Sequence, residues 1–407
     1  MNANLNYFLI SKILFSFLII LNYFFYILFN TKFFFPFFFI FIIILFFFLL
    51  FKIFFSNRIL FYFFIILLII SLGSAVQVWD ARSIFMFNAK RIFFEKNFIQ
   101  YLSSFGFVNT YPILYPVLAA TINTPFSYWS EIVPKISILF LSFVPLLSIY
   151  EQLLTRKIQL LFTFLFVLIF EHRILNGDCD VLIALYFVNI AILINMIVKK
   201  SFQGRGVYLL YIELILNSTI FLLTKPQSWS LFLALVISLL IIMIINNIKI
   251  SKIFLILFII FISTIPAYHW KLITLTNYPY LLSSDISLNA LKDSLATPLI
   301  FFKKLFYILG ELLIQKSSLI ISIFLTFATV STSFFSLDIN TKKKLRSSLL
   351  IILFSSSVLY FFSLILLYMS SSVDLETSLK FTSDRYIVPI NMSLLLLGFI
   401  VLNKLKK

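Results

Sequence analysis

The sequence predicts an all-α integral membrane protein, built as a polytopic bundle of about twelve transmembrane helices. Its 407 residues are 62% hydrophobic and only 12% charged, with a mean hydropathy of +1.10, which no water-soluble fold requires. Apolar runs of about 18 or more residues recur along the chain, and a helix of that length crosses the hydrocarbon layer. We therefore expect a single polytopic membrane domain over residues 1–407.

Twelve apolar runs define the predicted spans. In chain order they are 7–29, 33–51, 59–77, 134–150, 158–174, 180–198, 208–224, 228–247, 252–268, 317–336, 347–369 and 386–403. Lysines and arginines concentrate in every second loop between these spans and after the last one. By the positive-inside rule, the basic loops and both chain termini are expected in the cytoplasm. Topology then explains the net charge of +17, so no nucleic-acid partner is expected.

The opposite, outer face receives the longer loops, chiefly residues 78–133 and 269–316. A helical pattern in the first of these loops predicts an amphipathic helix that lies in the membrane interface. Its apolar face comprises Phe85, Ala89, Ile92 and Phe93, and its polar face comprises Asn88, Arg91 and Glu95. A second amphipathic helix is predicted between Leu288 and Ile314, with Lys292, Lys303 and Lys304 on its wet side.

The segment Val78-Trp79-Asp80-Ala81-Arg82 is the first polar stretch after the third predicted span. A carboxylate at a partly dry boundary can have its pKa raised towards neutrality, which suits Asp80 to act as a general base or acid. The alternative is architectural, with Trp79 as an interfacial belt residue and Asp80 as a helix cap.

A second acidic segment, Asn176-Gly177-Asp178-Cys179-Asp180, opens the sixth predicted span on the same outer face. Acids that enter an apolar helix are costly unless they are used or lie at its cap. The Asp178 and Asp180 spacing can hold a divalent metal through oxygen ligands, or Asp178 and Asp180 divide into one cap and one functional acid. Two His and one Cys are too few for a zinc or haem site, so no cofactor is expected beyond that alternative metal.

Three further outer-face segments combine polar residues with prolines. Tyr111-Pro112-Ile113-Leu114-Tyr115-Pro116 predicts a rigid turn into an apolar segment, with Tyr111 as a candidate substrate contact. In Thr224-Lys225-Pro226-Gln227, Lys225 either binds a lipid phosphate or snorkels to the surface. In Ser383-Asp384-Arg385-Tyr386-Ile387-Val388-Pro389, Arg385 either neutralises a phosphate beside Tyr386 or pairs with Asp384.

Taken in order, these segments resemble the GT-C class of membrane glycosyltransferases, and within it the protein O-mannosyltransferase and aminoarabinose transferase branch (family 39/83-like). The matching features are Asp80 before an amphipathic helix, Tyr111-Pro112, Asp180 within the run NGDCDVLIAL, the Lys225 turn, and Arg385-Tyr386 with Pro389. One departure is that Ala81 and Arg82 follow Asp80, where the family often has a second acid.

The resemblance implies a GT-C fold and an inverting transferase that uses a polyprenyl-phosphate sugar as donor. Asp80 would deprotonate the acceptor, Lys225 and Arg385 would stabilise the lipid-phosphate leaving group, and Asp180 would orient the acceptor or position a cation. Substrate-binding roles are implied for Trp79, Arg82, Tyr111, Asp178, Lys225, Arg385 and Tyr386.

The expected partners are the donor, a glycan, lipid or protein acceptor, and membrane lipids. We expect a bacterial inner-membrane location with a periplasmic active site. The alternatives are a polysaccharide polymerase or ligase, and a flippase or transporter of lipid-linked sugars. Transport would call for ionisable groups within the spans, and Glu213 is the candidate acid of that kind.

Overall fold

A computed structural model gives the fold. It describes residues 3–73, 84–95, 97–103, 111–153, 155–174, 179–201, 207–245, 248–277, 292, 295–311, 343–370, 379 and 387–400. Within these ranges the regular structure is helical, with no strand. The chain forms two compact units, residues 1–228 with 254–271, and residues 229–253 with 272–407.

Seven of the described helices of the first unit overlap predicted spans, and three others lie in the predicted loop 78–133. In chain order these helices are α1 (Ala3–Leu28), α2 (Phe35–Ser56), α3 (Arg58–Gly73), α4 (Met86–Phe94), α5 (Phe98–Ser103), α6 (Leu114–Asn123), α7 (Ile136–Glu151), α8 (Arg156–Ile174), α9 (Asp180–Ser201) and α10 (Tyr208–Leu222). A short 3-10 helix, Val133–Lys135, leads into α7.

The second unit contains α11 (Ser228–Ile245), α13 (Pro298–Gly310), α14 (Lys343–Met369) and α15 (Ile387–Ile400), while α12 (Ile250–Asn277) contributes residues to both units. Within this unit α13 packs on α14, and the Ser355 hydroxyl donates a hydrogen bond to Ser238 Oγ at 2.6 Å, which joins α14 to α11. Within the stretch Leu288 to Ile314, predicted as an amphipathic helix, a helix is confirmed over the residues of α13. The predicted span 317–336 lies outside the described residues.

Six of the described helical segments are long and apolar enough to cross a membrane. They are Phe8–Leu28, Phe35–Ser56, Val133–Glu151, Asp180–Val198, Ser228–Ile245 and Ile250–Asn277. Large apolar side chains on several of these helices remain exposed, including Phe37, Phe41, Phe47 and Phe51 on α2. Such a surface suits lipid contact and not water. The chain is therefore an α-helical membrane protein, while the count of twelve spans and the GT-C arrangement stay predictions.

The predicted loop 78–133 contains more structure than the sequence indicated. The apolar side of the amphipathic helix is confirmed, since Phe85, Ala89 and Ile92 are buried. Asn88 was predicted on the polar face, but it is fully buried because α4 packs along α6. The sequence did not predict α6 as an element, and all ten of its residues are buried. Ten residues are too few to span a membrane, so α6 is an internal packing helix.

An aromatic cluster holds the first, second, third and seventh helices together. Phe46 on α2 has ring centroids 4.5 Å from Phe140 and 4.8 Å from Phe143, both on α7. Phe15 of α1 and Phe64 of α3 pack against the same Phe143 ring, at 5.6 and 4.6 Å. Because lipid is as apolar as these rings, their close fit is what stabilises the bundle.

Two adjacent phenylalanines of α2 test that packing. Phe46 is 2% exposed, whereas Phe47 is 58% exposed on the lipid-facing side. Phe→Ala in a soluble core lowers the free energy of unfolding by about 3–5 kcal/mol. We expect Phe46→Ala to fall at the lower end of that range, because lipid solvates the wild-type Phe46 ring when the helices are not packed together. Phe47→Ala should change thermal stability in detergent by much less. Equal losses in the two variants would contradict the packing described for α2.

Candidate functional site

The polar centre of the first unit is an ion pair between Lys225 and Asp180. The Lys225 ammonium lies 2.8 Å from Asp180 Oδ1 and donates a hydrogen bond to it. The two side chains are 0% and 4% exposed. The pair joins two positions 45 residues apart in the chain, at the start of α9 and just after α10. In this low-dielectric setting, each charge requires the other.

The turn after α10 fixes the position of Lys225. Its carbonyl accepts a hydrogen bond from the Ser228 N–H at 3.0 Å, which closes a four-residue turn. Pro226 occupies the second position of that turn, where its fixed φ is favoured. The Thr224 hydroxyl donates to the Ile220 carbonyl at 2.7 Å and so satisfies an acceptor at the end of α10. The turn predicted from the sequence is confirmed.

Asp180 is the first residue of α9. A carboxylate at this position is stabilised by the partial positive charge of the helix N-terminus, in addition to the Lys225 ammonium. The expectation that Asp180 lies at the mouth of a span is therefore confirmed for the helix. The snorkelling alternative for Lys225 is wrong, because the ammonium turns into the bundle and pairs with Asp180.

A tyrosine on α9 compensates for a proline on α7. Pro145 lies inside α7 and lacks the N–H that would bond to the carbonyl four residues earlier, at Leu141. The Tyr186 hydroxyl donates to that Leu141 carbonyl at 2.8 Å. Inside a membrane a freed carbonyl needs such a partner, so the contact fixes α9, and with it Asp180, against α7.

The ends of three helices show which end of the first unit carries the ion pair. Lys12 near the start of α1 contacts Glu151 at the end of α7 and Glu213 near the start of α10. Both α1 and α10 run from this contact towards their C-terminal ends in the same direction. The end of α10 that bears Lys225 therefore lies at the same end of the unit as the α1–α2 turn.

The α1–α2 turn in turn contacts the first outer loop. The Lys32 ammonium donates to the Phe93 carbonyl at the end of α4, and the Ile99 N–H donates to Asn30 Oδ1 at 2.8 Å. Burial lowers the pKa of Lys32, an effect that Glu95 partly opposes. The Asp180–Lys225 pair and the segment after residue 84 therefore belong to one end of the unit, as the sequence predicted.

The pair is recessed from that end. The segment of α1 from Lys12 to its end is about 24 Å long. The segment of α10 from Glu213 to its end is only about 14 Å long. The turn that bears Lys225 thus stops several ångströms short of the α1–α2 turn.

Of the other predicted site residues, Tyr111 is described. It precedes α6, and its ring meets Phe85 edge-on with centroids 6.1 Å apart. Pro116 falls in the first turn of α6, where a missing N–H costs nothing, which confirms the predicted entry into an apolar segment. Trp79, Asp80, Arg82, Asp178, Arg385 and Tyr386 lie outside the described residues.

The alternative of a divalent metal held by Asp178 and Asp180 stays a prediction, since Asp178 falls outside the described ranges. Among the residues that the structure does describe, no group of three or more His, Cys, Asp and Glu side chains can hold a metal ion. The Asp180 oxygen that faces Lys225 already accepts a hydrogen bond, and any metal there would meet a neighbouring ammonium.

Sequence reasoning missed a second charged cluster at the other end of the unit. The Lys12 ammonium donates to Glu151 Oε2 at 3.1 Å and to Ser148 Oγ at 3.3 Å, and lies 3.3 Å from Glu213 Oε1. Glu213 stood out in the sequence as an acid within a span, but its partner did not. The missed signal is Lys12, a lone charge in the first apolar run.

A scan against protein-family models and searches of curated proteins and of solved structures found no match to this chain. The resemblance to the GT-C class therefore depends on the order of the motifs in the sequence.

Removing one member of the Asp180–Lys225 pair should be costly. Lys225→Met leaves a buried carboxylate without its ammonium, and we expect a loss of about 3–5 kcal/mol in stability. Replacing both residues, as Lys225→Met with Asp180→Leu, should recover most of that loss because no charge stays buried. Thermal unfolding in detergent of Lys225→Met, of Asp180→Leu and of the double variant measures the coupling. A double variant as unstable as the sum of the single changes would exclude a direct pair.

Proposed function

We propose that this chain is a membrane glycosyltransferase that moves a sugar from a polyprenyl-phosphate donor to an outer-face acceptor, with inversion at the anomeric carbon. The observation that carries the proposal is the buried Lys225 ammonium, held by Asp180 in a recessed turn of the first unit. A buried cation of this kind suits the phosphate of a membrane lipid.

Lys225 has the chemistry that such a reaction needs. Transfer releases a lipid phosphate, and the negative charge that develops on it is stabilised best by a preorganised cation in a low-dielectric site. The ammonium has three donors, so it can hold Asp180 and a phosphate oxygen together. Asp180 then acts as a positioning residue, which is one of the two roles that the resemblance implies for it.

Asp80 is proposed as the general base. It would take the proton from the acceptor hydroxyl or amine as that group attacks the anomeric carbon, and the lipid phosphate would leave from the opposite side. Arg385 would share the leaving-group charge with Lys225. Trp79, Arg82, Tyr111, Asp178 and Tyr386 complete the proposed substrate contacts. The motif order supports these roles, and a periplasmic site in a bacterial inner membrane suits them.

Transfer from radiolabelled polyprenyl-phosphate sugars in detergent tests the general base. Asp80→Asn should abolish release of label from the lipid, because the amide accepts no proton. A chelator should leave the wild-type rate unchanged if cations of the chain serve in place of a metal. An active Asp80→Asn variant would remove Asp80 from the mechanism. Ladders of repeat units in place of a single added sugar would favour the polymerase alternative.

The role of Lys225 can be tested apart from its role in folding. The double variant Lys225→Met with Asp180→Leu keeps the fold but removes the cation. We expect at least about a 100-fold loss of transfer, the scale seen when one stabilising donor is removed from an oxyanion site. Lys90→Met is the matched control, since Lys90 is exposed at the same end of the unit. A folded double variant with near-normal transfer would contradict the proposal.

The second candidate is a flippase or transporter of lipid-linked sugars. One observation favours it, the ionisable pair of Lys12 and Glu213 inside apolar helices. Proteoliposomes loaded with a fluorescent lipid-linked sugar distinguish the two functions. Flux without loss of the sugar from its lipid would favour transport, and transfer without flux would favour the enzyme.

A further inference from the structure

The cluster around Lys12 carries an unbalanced charge. It brings one ammonium together with two carboxylates, from Glu151 and Glu213. If all three groups were ionised, the cluster would hold one net negative charge inside apolar helices. Burial of an uncompensated charge costs several kcal/mol, and a buried group in this situation neutralises by taking a proton.

The two carboxylates are not equivalent. The Glu151 side chain is 38% exposed and accepts a hydrogen bond from Lys12, so both water and the ammonium stabilise its charge. The Glu213 side chain is 1% exposed, and its Oε1 lies 3.3 Å from the ammonium without hydrogen-bond geometry. Glu213 is therefore the member whose charge is least compensated.

We propose that Glu213, with Lys12 and Glu151, forms a buried proton-binding site that exchanges protons with the membrane face to which Glu151 opens. One proton is bound while Lys12 and Glu151 form the ion pair. Glu213 releases it when a second cation reaches the cluster or when Glu151 loses its charge. This site lies at the opposite end of the first unit from Asp180 and Lys225, and it does not depend on the proposed transferase function.

Among the side chains that the structure describes, the other charged groups around α10 leave this charge balance intact. From α1 and α7 the charged residues that act on Glu213 are Lys12 and Glu151. Helix α9, which also packs on α10, begins with Asp180, and that carboxylate is paired with Lys225. The last turn of α9 holds Lys199 and Lys200, whose side chains lie outside the described part of the structure. The α12 residues of this unit include His269 and Lys271, which lie towards the end where Trp270 meets Phe98.

Infrared spectroscopy of the purified full chain in lipid tests the proposal. At neutral pH the wild type should show a carboxylic acid carbonyl band that shifts in heavy water. Glu213→Gln should remove the band, and Glu131→Gln should leave it, because Glu131 is an exposed carboxylate at the other end of the unit. The proposal would be overturned if the wild type showed no acid band, or if its acid band persisted in Glu213→Gln.

Two variants then test the charge balance itself. Glu151→Gln removes one negative charge, so Glu213 should ionise against Lys12 and the acid band should disappear although Glu213 is still present. Lys12→Met removes the positive charge, so Glu213 should keep its proton and the band should stay. A permanent structural ion pair predicts an ionised Glu213, with no acid band that depends on Glu213 or Glu151. The proposal would also be overturned if the wild type showed no acid band and sodium raised its thermal stability but not that of Glu213→Gln. That result would indicate a bound metal cation in place of the proton.

Discussion

The need to compensate the charges buried between helices is the constraint on which the first unit depends. Lys225 and Asp180 meet at one end, and Lys12, Glu151 and Glu213 meet at the other. Close packing of the aromatic rings stabilises the bundle, but apolar contacts alone set the register of these helices less strictly than charged contacts do. A displaced ammonium leaves a buried charge uncompensated. The charged contacts therefore set the register of α1, α7, α9 and α10, and the aromatic rings fill the space that this register leaves.

Polar groups freed by proline add a second, weaker set of constraints. The Tyr186 contact with the Leu141 carbonyl shows how a helix break and a side chain on another helix are matched over 45 residues of sequence. The hydrogen bond from Asn22 to Thr121, at 2.9 Å, plays a similar part between α1 and α6. In water such groups would be solvated without help, so these contacts reflect the solvent in which the chain folds.

The sequence predicted the helices well, because an apolar run of membrane length leaves the backbone one way to satisfy its hydrogen bonds. It placed Asp180 at a helix start and Lys225 in a turn, both correctly, because local residues determine caps and turns. It did not predict that these two side chains pair, or that Lys12 joins Glu213, because pairing depends on which helices are neighbours. The buried helix α6 was missed for a related reason. Its ten residues are shorter than a span, and only its neighbours make it an internal element.

The position of Lys12 also bears on how the chain is made. Its partners come late, Glu151 139 residues downstream and Glu213 further still. At a synthesis rate of about 5–20 residues per second, Glu151 emerges roughly 7–28 s after Lys12. Throughout that interval α1 carries an ammonium without its carboxylate, and the ammonium stays hydrated only near the membrane surface. We therefore expect α1 to reach its final depth only after α7 has been synthesised.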